Sequence, residues 1–230
     1  MKKWMSIGLL AALALPLFGQ EKEEERVQNA GIVMKEILAA PDSIPQSILD
    51  KADCVVVLPS VKKFAIGIGG SYGRGVMTCR GPKDFHGKWS APTMMALEGG
   101  SFGLQLGGEA TDFVLLLMND RAASGILTSK FKLGGDASAA AGPVGRTASA
   151  ETDATLSADI LSYSRAKGLF AGVSLEGSTL RPDNDANKSL YGKEIEAKAI
   201  VLQGAVKAPP SAAALISTLT KASPINKSKT

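Results

Sequence analysis

The stretch Tyr163–Gly177, YSRAKGLFAGVSLEG, sets a tyrosine and two cations among glycines and apolar residues. A loop that binds phosphate would lead from its glycines into the start of a helix. Here the residues after Gly168 alternate between apolar and polar from Val173 onward. Such alternation predicts a strand with one buried and one solvated face. We therefore predict a turn that carries Arg165 and Lys167, followed by strand sequence.

Glycine-punctuated segments of the same kind lie on the N-terminal side of this stretch. The segment that begins at Cys54, CVVVLP, is rich in β-branched residues and predicts a buried strand. Phe64–Arg80 predicts one long bent strand or a hairpin, because its glycines permit kinks and close approach. Trp89–Glu98 and Ser101–Met118 predict further strands. The small residues of 131–147 predict tightly packed strands rather than a flexible linker.

Helical patterns flank the predicted sheet. Apolar residues recur at helical spacing over Val27–Leu38, and Pro41 ends the pattern. An alanine-rich amphipathic helix is predicted over Pro209–Leu219, and shorter helices over Pro45–Ala52, Asp120–Ser129 and Asp183–Tyr191. Many strands without regular strand–helix alternation indicate a single α+β domain. We predict a mostly antiparallel, glycine-rich, twisted and barrel-like sheet, flanked by N- and C-terminal helices.

The N-terminus places two lysines before an apolar run from Ile7 to Phe18. This pattern predicts a secretory signal peptide over residues 1–19, cleaved near Gly19–Gln20. A retained N-terminal anchor is the alternative, although the run falls short of the roughly 20 apolar residues that span a membrane. Cleavage would give an exported protein of the periplasm or cell envelope, associated peripherally with a membrane.

The remaining chain predicts one domain over residues 20–222 and a disordered, solvated tail over residues 223–230. Loss of the two leader lysines lowers the formal net charge from +4 to +2. A nucleic-acid binder normally carries a denser basic stripe, so no nucleic-acid partner is expected. Cys54 and Cys79 either form a disulfide in an oxidising compartment or lie buried as free thiols.

The sequence contains no set of residues that argues for catalysis. GIGGSYGRG departs from the dinucleotide fingerprint, because Tyr72 takes the third glycine position and strand-like residues follow. His86, the only histidine, has no Gly-x-Ser-x-Gly motif to partner it. Asp183–Asn187 resembles the start of a calcium loop but lacks its glycine and terminal glutamate, which favours helix capping. We therefore expect no enzyme activity, no metal and no cofactor.

Three segments place cations beside apolar side chains. They are Lys62-Lys63-Phe64, Lys130-Phe131-Lys132, and Arg165–Lys167 followed by Leu169-Phe170. Such pairs suit anionic lipid headgroups, where each cation near the surface contributes about 1 kcal/mol. Cations at strand ends also serve solubility alone, so a single pair is a weak signal.

Several long segments together resemble the SYLF domain family. In chain order they are IPQSILDKADCVVVLPSVKKFAIGIGGSYGRG, GGSFGLQLGGEATDFVLLLMN, YSRAKGLFAGVSLEG and DNDANKSLYG, within about residues 27–220. The resemblance implies a lipid-binding domain rather than a catalyst, with phosphoinositide membranes and, in some eukaryotic members, actin as partners. It also implies bilayer contact through the N-terminal amphipathic helix and basic residues, here Val27–Leu38, Lys62 and Lys63.

We therefore predict an exported, non-catalytic protein that binds a phospholipid membrane or a bound lipid. The predicted lipid-binding residues are Met34, Lys35, Lys62, Lys63, Phe64, Lys130, Lys132, Arg165 and Lys167. Export would make actin an improbable partner. The alternative is a structural or protein-interaction module of the cell envelope, in which the N-terminal helix packs on its own core.

Overall fold

A computed structural model of the chain describes residues 15–66, 68–81, 85–101, 109–128, 130–145, 157–166 and 169–228. Within these ranges the helices are α1 Leu15–Ala39, α2 Gln46–Leu49, α3 Asp120–Thr128, α4 Asn184–Tyr191, α5 Ala197–Val201 and α6 Ala213–Ala222, and a 3-10 turn covers Pro210–Ala212. The strands are β1 Cys54–Ile66, β2 Ile68–Cys79, β3 Thr93–Ser101, β4 Glu109–Leu117, β5 Phe131–Lys132, β6 Ala139–Ala141, β7 Ile160–Ala166, β8 Leu169–Gly172 and β9 Ser178–Pro182.

The described strands form one sheet in the order β5-β9-β3-β2-β1-β4-β7-β6, with β8 paired to β7. Their pairings are antiparallel except for that between β6 and β7. The sheet curls into a half-barrel with helices at both ends of the chain, which confirms the predicted α+β fold. Most of the segment predicted as a bent strand or hairpin forms the β1–β2 hairpin.

Both faces of the central strands are buried. Val56 and Leu115 face a core closed by α3 and α5, whereas Val55 and Leu116 face a second core closed by α1, α2, α4 and α6. A strand buried on both faces needs apolar side chains on both, which is why CVVVLP is a continuous apolar run. The helices thus cover the central strands on both sides of the sheet.

The glycines of β2 are required where the bent strand β1 passes close to it. Ser60 takes a φ of 52°, and the register between the two strands shifts between Val57 and Lys62. A Cβ atom at Gly75 would lie 2.0 Å from the carbonyl oxygen of Val57. Close approach of the two backbones therefore explains the glycine pattern. The residues after these glycines continue strand β2, whereas a nucleotide-binding loop would lead into a helix.

Several local predictions have a clear outcome. Cys54 and Cys79 face each other across β1 and β2 and form a disulfide, which decides between the bridge and free thiols. Asp183 accepts a hydrogen bond from the backbone N–H of Ala186 at the start of α4, so the helix-capping interpretation is confirmed. Within 131–145, the described part of the small-residue stretch, the strands are the short β5 and β6, with turns between them.

The C-terminal segment 223–228 is packed, in contrast to the disordered tail predicted there. Ser223 and Asn226 are buried. The Arg80 guanidinium donates a hydrogen bond to Ser223, and the Asn226 amide donates one to Asp53 at 2.7 Å. Small and polar residues predict a solvated segment from sequence alone, but here they satisfy buried charged groups.

Helix α1 is longer than predicted, because it begins at Leu15 and continues without a break through Gly19 and Gln20. Most of the predicted signal peptide, residues 1–14, lies outside the described residues. The predicted cleavage and export therefore stay predictions.

Candidate functional site

One row of paired residues crosses the sheet near the β1–β2 turn. Lys62 of β1 pairs with Tyr72 of β2, Tyr72 with Glu98 of β3, Glu98 with Thr179 of β9, and Thr179 with Lys132 of β5. Side chains of directly paired residues lie on the same face of a sheet. Four strand spacings separate the two lysines, or roughly 19 Å along the curved sheet.

The row carries two cationic side chains that point to solvent. Lys62 and Lys132 are exposed, and neither forms an ion pair with another residue in the described part of the chain. Asp136 contacts Lys132 through the backbone N–H rather than the ammonium group. Glu98 accepts hydrogen bonds from Arg181 at 3.0 and 2.7 Å, and these hydrogen bonds raise the pKa of the Arg181 guanidinium.

The tip of the β7–β8 hairpin lies at the same end of the sheet. Arg165 of β7 pairs with Asp112 of β4, two residues from Ala110, which pairs with Lys62. The next residue of β7 faces Leu169 across the hairpin, and Leu169 is 78% exposed. We define the strand-end surface as Lys62, Tyr72, Glu98, Thr179 and Lys132, because the side chain of Leu169 lies on the other face of the sheet from this row.

Arg165 anchors this hairpin and is engaged inside the protein. It donates to Asp112 at 2.7 and 3.1 Å and forms an ion pair with Glu36 of α1. Burial opposes the charge of Arg165, but the hydrogen bonds to Asp112 and Glu36 outweigh it and raise the pKa. Asp112 also accepts the backbone N–H of Ser60. The Arg165 guanidinium therefore ties β1, β4, β7 and α1 together, and we leave it out of the candidate surface.

The apolar face of α1 is buried against the protein's own core. Val27, Met34 and Ile37 are wholly buried. Gly31 allows α1 to approach α6, since a Cβ there would lie 3.0 Å from the backbone nitrogen of Leu215. In this conformation Met34 cannot contact a bilayer, and the prediction for it is corrected accordingly. Lys35 lies on the exposed side of the helix.

A cleft of about 340 Å³ opens between α1 and the row, next to Lys62 and Tyr72. Arg74 lies in this cleft, with its Nε atom 2.8 Å from the Tyr72 hydroxyl and 3.0 Å from the Asp183 carboxylate. Lys22 also lines the cleft and has no carboxylate partner among the described residues. Glu25 lines the cleft as well, so the cleft carries both signs of charge next to the strand-end surface.

The other predicted residues are scattered or lie outside the described part of the chain. Lys130 lies in a separate recess of about 310 Å³, together with Arg181 and Lys198. The side chains of Lys63 and Phe64, and Lys167 as a whole, are outside the described residues. The structure therefore brings Lys62 and Lys132 together on one row and separates them from Lys130.

Sequence reasoning missed Tyr72 as a member of this surface. The face of the sheet on which Tyr72 lies could be predicted, because Tyr72 is four residues before the buried Val76 on the same strand and therefore on the same face. The pairing register that places Lys132 on the same row was not readable, since it depends on strands distant in sequence.

Other kinds of site find no support within the described ranges. No group of three histidine, cysteine or carboxylate side chains is placed to hold a metal ion there. None of the helices in those ranges combines the length and hydrophobicity needed to cross a bilayer. His86 is exposed.

The fold and this surface define a single-domain α+β module whose curled sheet presents cations at its strand ends. The Ysc84 family model, described as "Las17-binding protein actin regulator", matches residues 98–222, more than half of the chain. The chain belongs to this family, and the resemblance to the SYLF domain family is confirmed.

Named relatives extend the match toward the N-terminus. The chain is 39% identical over 210 residues to the SH3 domain-containing protein PJ696.02 of Schizosaccharomyces pombe, covering 90% of this chain and 47% of that protein. It is 34% identical over 218 residues to protein YSC84 of Saccharomyces cerevisiae, covering 93% and 45%. It is 35% identical over 181 residues to the SH3 domain-containing YSC84-like protein 1 of Bos taurus, covering 78% and 52%.

The chain spans about half the length of the curated relatives it matches. The description of the family concerns regulation of actin and names no catalytic activity. It gives no support to the expectation that actin is an improbable partner.

Proposed function

We propose that this chain is a non-catalytic module that binds the surface of anionic phospholipid membranes through its strand-end surface. The observation that carries the proposal is the register row that sets Lys62 and Lys132 on one face of the sheet end. An acidic bilayer attracts such cations, and the attraction falls off within about 10 Å at moderate salt. Cations that lie at the same end of the sheet are therefore more effective than cations spread over the protein.

This proposal differs from insertion of the amphipathic helix. The apolar face of α1 is buried in the described conformation. Releasing it would expose several fully buried side chains, each contributing about 1.5–3 kcal/mol by burial. Contact through groups that are already exposed carries no such cost, which favours the strand ends over the helix as the docking element.

Neutralising the two lysines tests the proposal. In the variant with Lys62→Gln and Lys132→Gln, the partition coefficient onto phosphatidylcholine vesicles containing phosphatidylglycerol should fall about 30-fold. The reason is that each cation contributes about 1 kcal/mol to binding. Vesicle co-sedimentation at low and moderate salt measures this. A matched control is Lys51→Gln with Lys88→Gln, which changes the net charge equally but places both changes on exposed lysines near the opposite strand ends.

Equal losses in the two double variants would show that net charge alone drives binding. No binding of the parent chain to any anionic vesicle would contradict the proposed function itself.

A second candidate is a protein-binding module. It is favoured by the buried apolar face of α1, which leaves that helix without a lipid-seeking surface, and by the names of relatives such as LAS seventeen-binding protein 3. Co-sedimentation of this chain with actin filaments tests it directly. Binding to filaments with no binding to vesicles would favour this candidate over the first.

Export is a separate proposal that rests on the N-terminal sequence. The mass of the chain purified from its native source tests it, since cleavage near Gly19–Gln20 removes the first 19 residues. An uncleaved chain without membrane association would contradict both the leader and the anchor interpretation.

A further inference from the structure

We propose that the C-terminal segment 223–228 occupies, within its own chain, a groove that also binds an extended peptide from another chain. We define the end groove by the side chains that line it, Asp50, Asp53, Arg80 and Trp89. It lies beside the first residue of β1, Cys54, whereas Lys62 lies near the other end of that strand. The end groove is therefore separate from the proposed membrane contact.

Ser223 is recognised by three side chains of the end groove. Its hydroxyl accepts a hydrogen bond from the Arg80 guanidinium at 2.5 Å and donates one to the Asp50 carboxylate at 2.7 Å. Its carbonyl oxygen accepts the indole N–H of Trp89 at 3.2 Å. The groove thus binds both the side chain and the backbone at this position.

The two carboxylates of the groove hold the residues that follow. The Asn226 amide donates a hydrogen bond to Asp53 at 2.7 Å. The Lys227 ammonium contacts the Asp50 carboxylate at 2.7 Å, and the Lys227 backbone N–H donates to the Asp50 carbonyl oxygen at 2.8 Å. The groove therefore fits a hydroxyl, a carboxamide three residues later, and an ammonium group directly after the carboxamide.

The burial of the segment is the reverse of what a core segment shows. Ser223 and Asn226 are buried, whereas Pro224 is exposed and Ile225 is 54% exposed. Residues that complete a hydrophobic core bury their apolar side chains and leave the polar ones in water. Here the polar side chains make the contacts and the apolar ones face solvent, so the segment is bound as a polar peptide ligand with the pattern Ser-x-x-Asn-Lys.

The end groove requires an occupant with these groups. Asp50, Asp53 and Arg80 are all buried while the segment is in place. Buried charged groups are costly unless they are paired and hydrogen-bonded. When the segment leaves, the three side chains become available to any extended peptide that offers the same hydroxyl, carboxamide and ammonium groups.

The backbone of Phe85 makes the segment easier to displace. Phe85 has a φ of 57°, a conformation that residues with large side chains rarely adopt. Such a conformation persists where the surroundings hold it, and the Asn226 amide donates to the Phe85 carbonyl oxygen at 3.1 Å. Release of the segment lets Phe85 relax, and this relief of strain offsets part of the contacts that are lost.

Titration calorimetry with a synthetic peptide of residues 221–228, KASPINKS, tests the proposal. The full chain with Ser223→Ala, Asn226→Ala and Lys227→Ala, here called the triple variant, lacks the side-chain contacts of its own segment and should bind the peptide. The parent chain should bind it at least about tenfold more weakly, because a tethered segment competes at an effective concentration on the order of millimolar.

Two controls show whether the recognised side chains decide the binding. A peptide with Ser223→Ala and Asn226→Ala should bind the triple variant at least about tenfold more weakly than the unchanged peptide, because it lacks two sets of hydrogen bonds. The full chain with Ile225→Ala keeps the three recognised side chains and should behave like the parent. Equal binding of the two peptides by a folded triple variant, or binding of neither, would overturn the proposal.

Hydrogen exchange of the parent chain decides the case in which the triple variant does not fold. The backbone amides of Ser223 and Lys227 donate to Leu219 and Asp50. If the segment detaches by itself, these amides should exchange at least about tenfold faster than the amides of β1, which open only with the whole domain. Exchange at the same rate as β1 would overturn the proposal, because the segment would then be a fixed part of the core.

Discussion

Substitution of Gly75 by alanine should destabilise the protein by about 3 kcal/mol or more. The added Cβ atom would lie 2.0 Å from the Val57 carbonyl oxygen and 2.7 Å from the Leu58 Cα atom. Both are backbone atoms of the central strand β1, which is paired on both sides and cannot move away. Overpacking of a well-packed core costs about 1–3 kcal/mol, and a clash with backbone lies at or above the top of that range.

Thermal unfolding checks this expectation. For a domain of this size, 3 kcal/mol corresponds to a fall of about 6–12 °C in Tm. Gly135→Ala is a suitable control, because the atoms nearest to its added Cβ belong to the flexible side chain of Lys132 at 3.3 Å. A Tm for Gly75→Ala within 2 °C of the parent, roughly 1 kcal/mol or less, would contradict the close approach of β1 and β2.

The second large effect is expected at Arg80. Its guanidinium is fully buried, stacks 4.3 Å above the Trp89 ring, and donates to the backbone oxygen of Ala52 and to the hydroxyl of Ser223. Arg80→Met keeps most of the side-chain volume but removes the charge and the donors. The Ala52 carbonyl oxygen and the Ser223 hydroxyl then lose this buried donor, and each buried polar group left unsatisfied costs about 1–3 kcal/mol.

Burial lowers the pKa of Arg80, and the nearby charges of Asp50 and Asp53 oppose that shift. Burial also opposes the ionisation of Asp50, but hydrogen bonds from Lys227, Ser223 and Gln46, which the variant keeps, outweigh it and lower the pKa of Asp50. Urea unfolding of Arg80→Met should therefore show a large loss of stability, together with easier proteolysis of the C-terminal segment. Arg121→Met is the matched control, since the Arg121 side chain is 72% exposed and its pairing with Asp159 contributes at most about 1 kcal/mol. Equal effects of the two substitutions would show that the Arg80 cluster is not a structural element.

Much of the fold was readable from the sequence because it depends on local patterns. The β-branched run after Cys54, the capping residue Asp183 and the helical spacing over Val27–Leu38 each specify an element within a few residues. A strand that is buried on both faces is a continuous apolar run in the sequence, whichever strands lie beside it in the sheet. The antiparallel architecture followed from the same local signals.

The candidate site was only partly readable, because it depends on pairing between distant segments. Lys132 joins Lys62 only through the order β5-β9-β3-β2-β1, which no local pattern specifies. Arg165 looked like a surface cation in sequence, but Asp112 and Glu36 are distant in the chain and pair with it. Met34 looked suited to lipid for a similar reason, because an amphipathic helix shows the same pattern whether its apolar face meets a bilayer or a core.

Hydrogen exchange measured by mass spectrometry, with and without phosphatidylglycerol-containing vesicles, tests the central claim most directly. If the strand-end surface is the docking element, the peptides around Lys62, Tyr72 and Lys132 gain protection on adding vesicles. The peptides of α1 over Val27–Leu38 are then protected from the start and stay unchanged. The contradictory result is exchange that is fast in α1 without vesicles and slows there alone when vesicles are added, because the helix and not the strand ends would then be the element that meets the membrane.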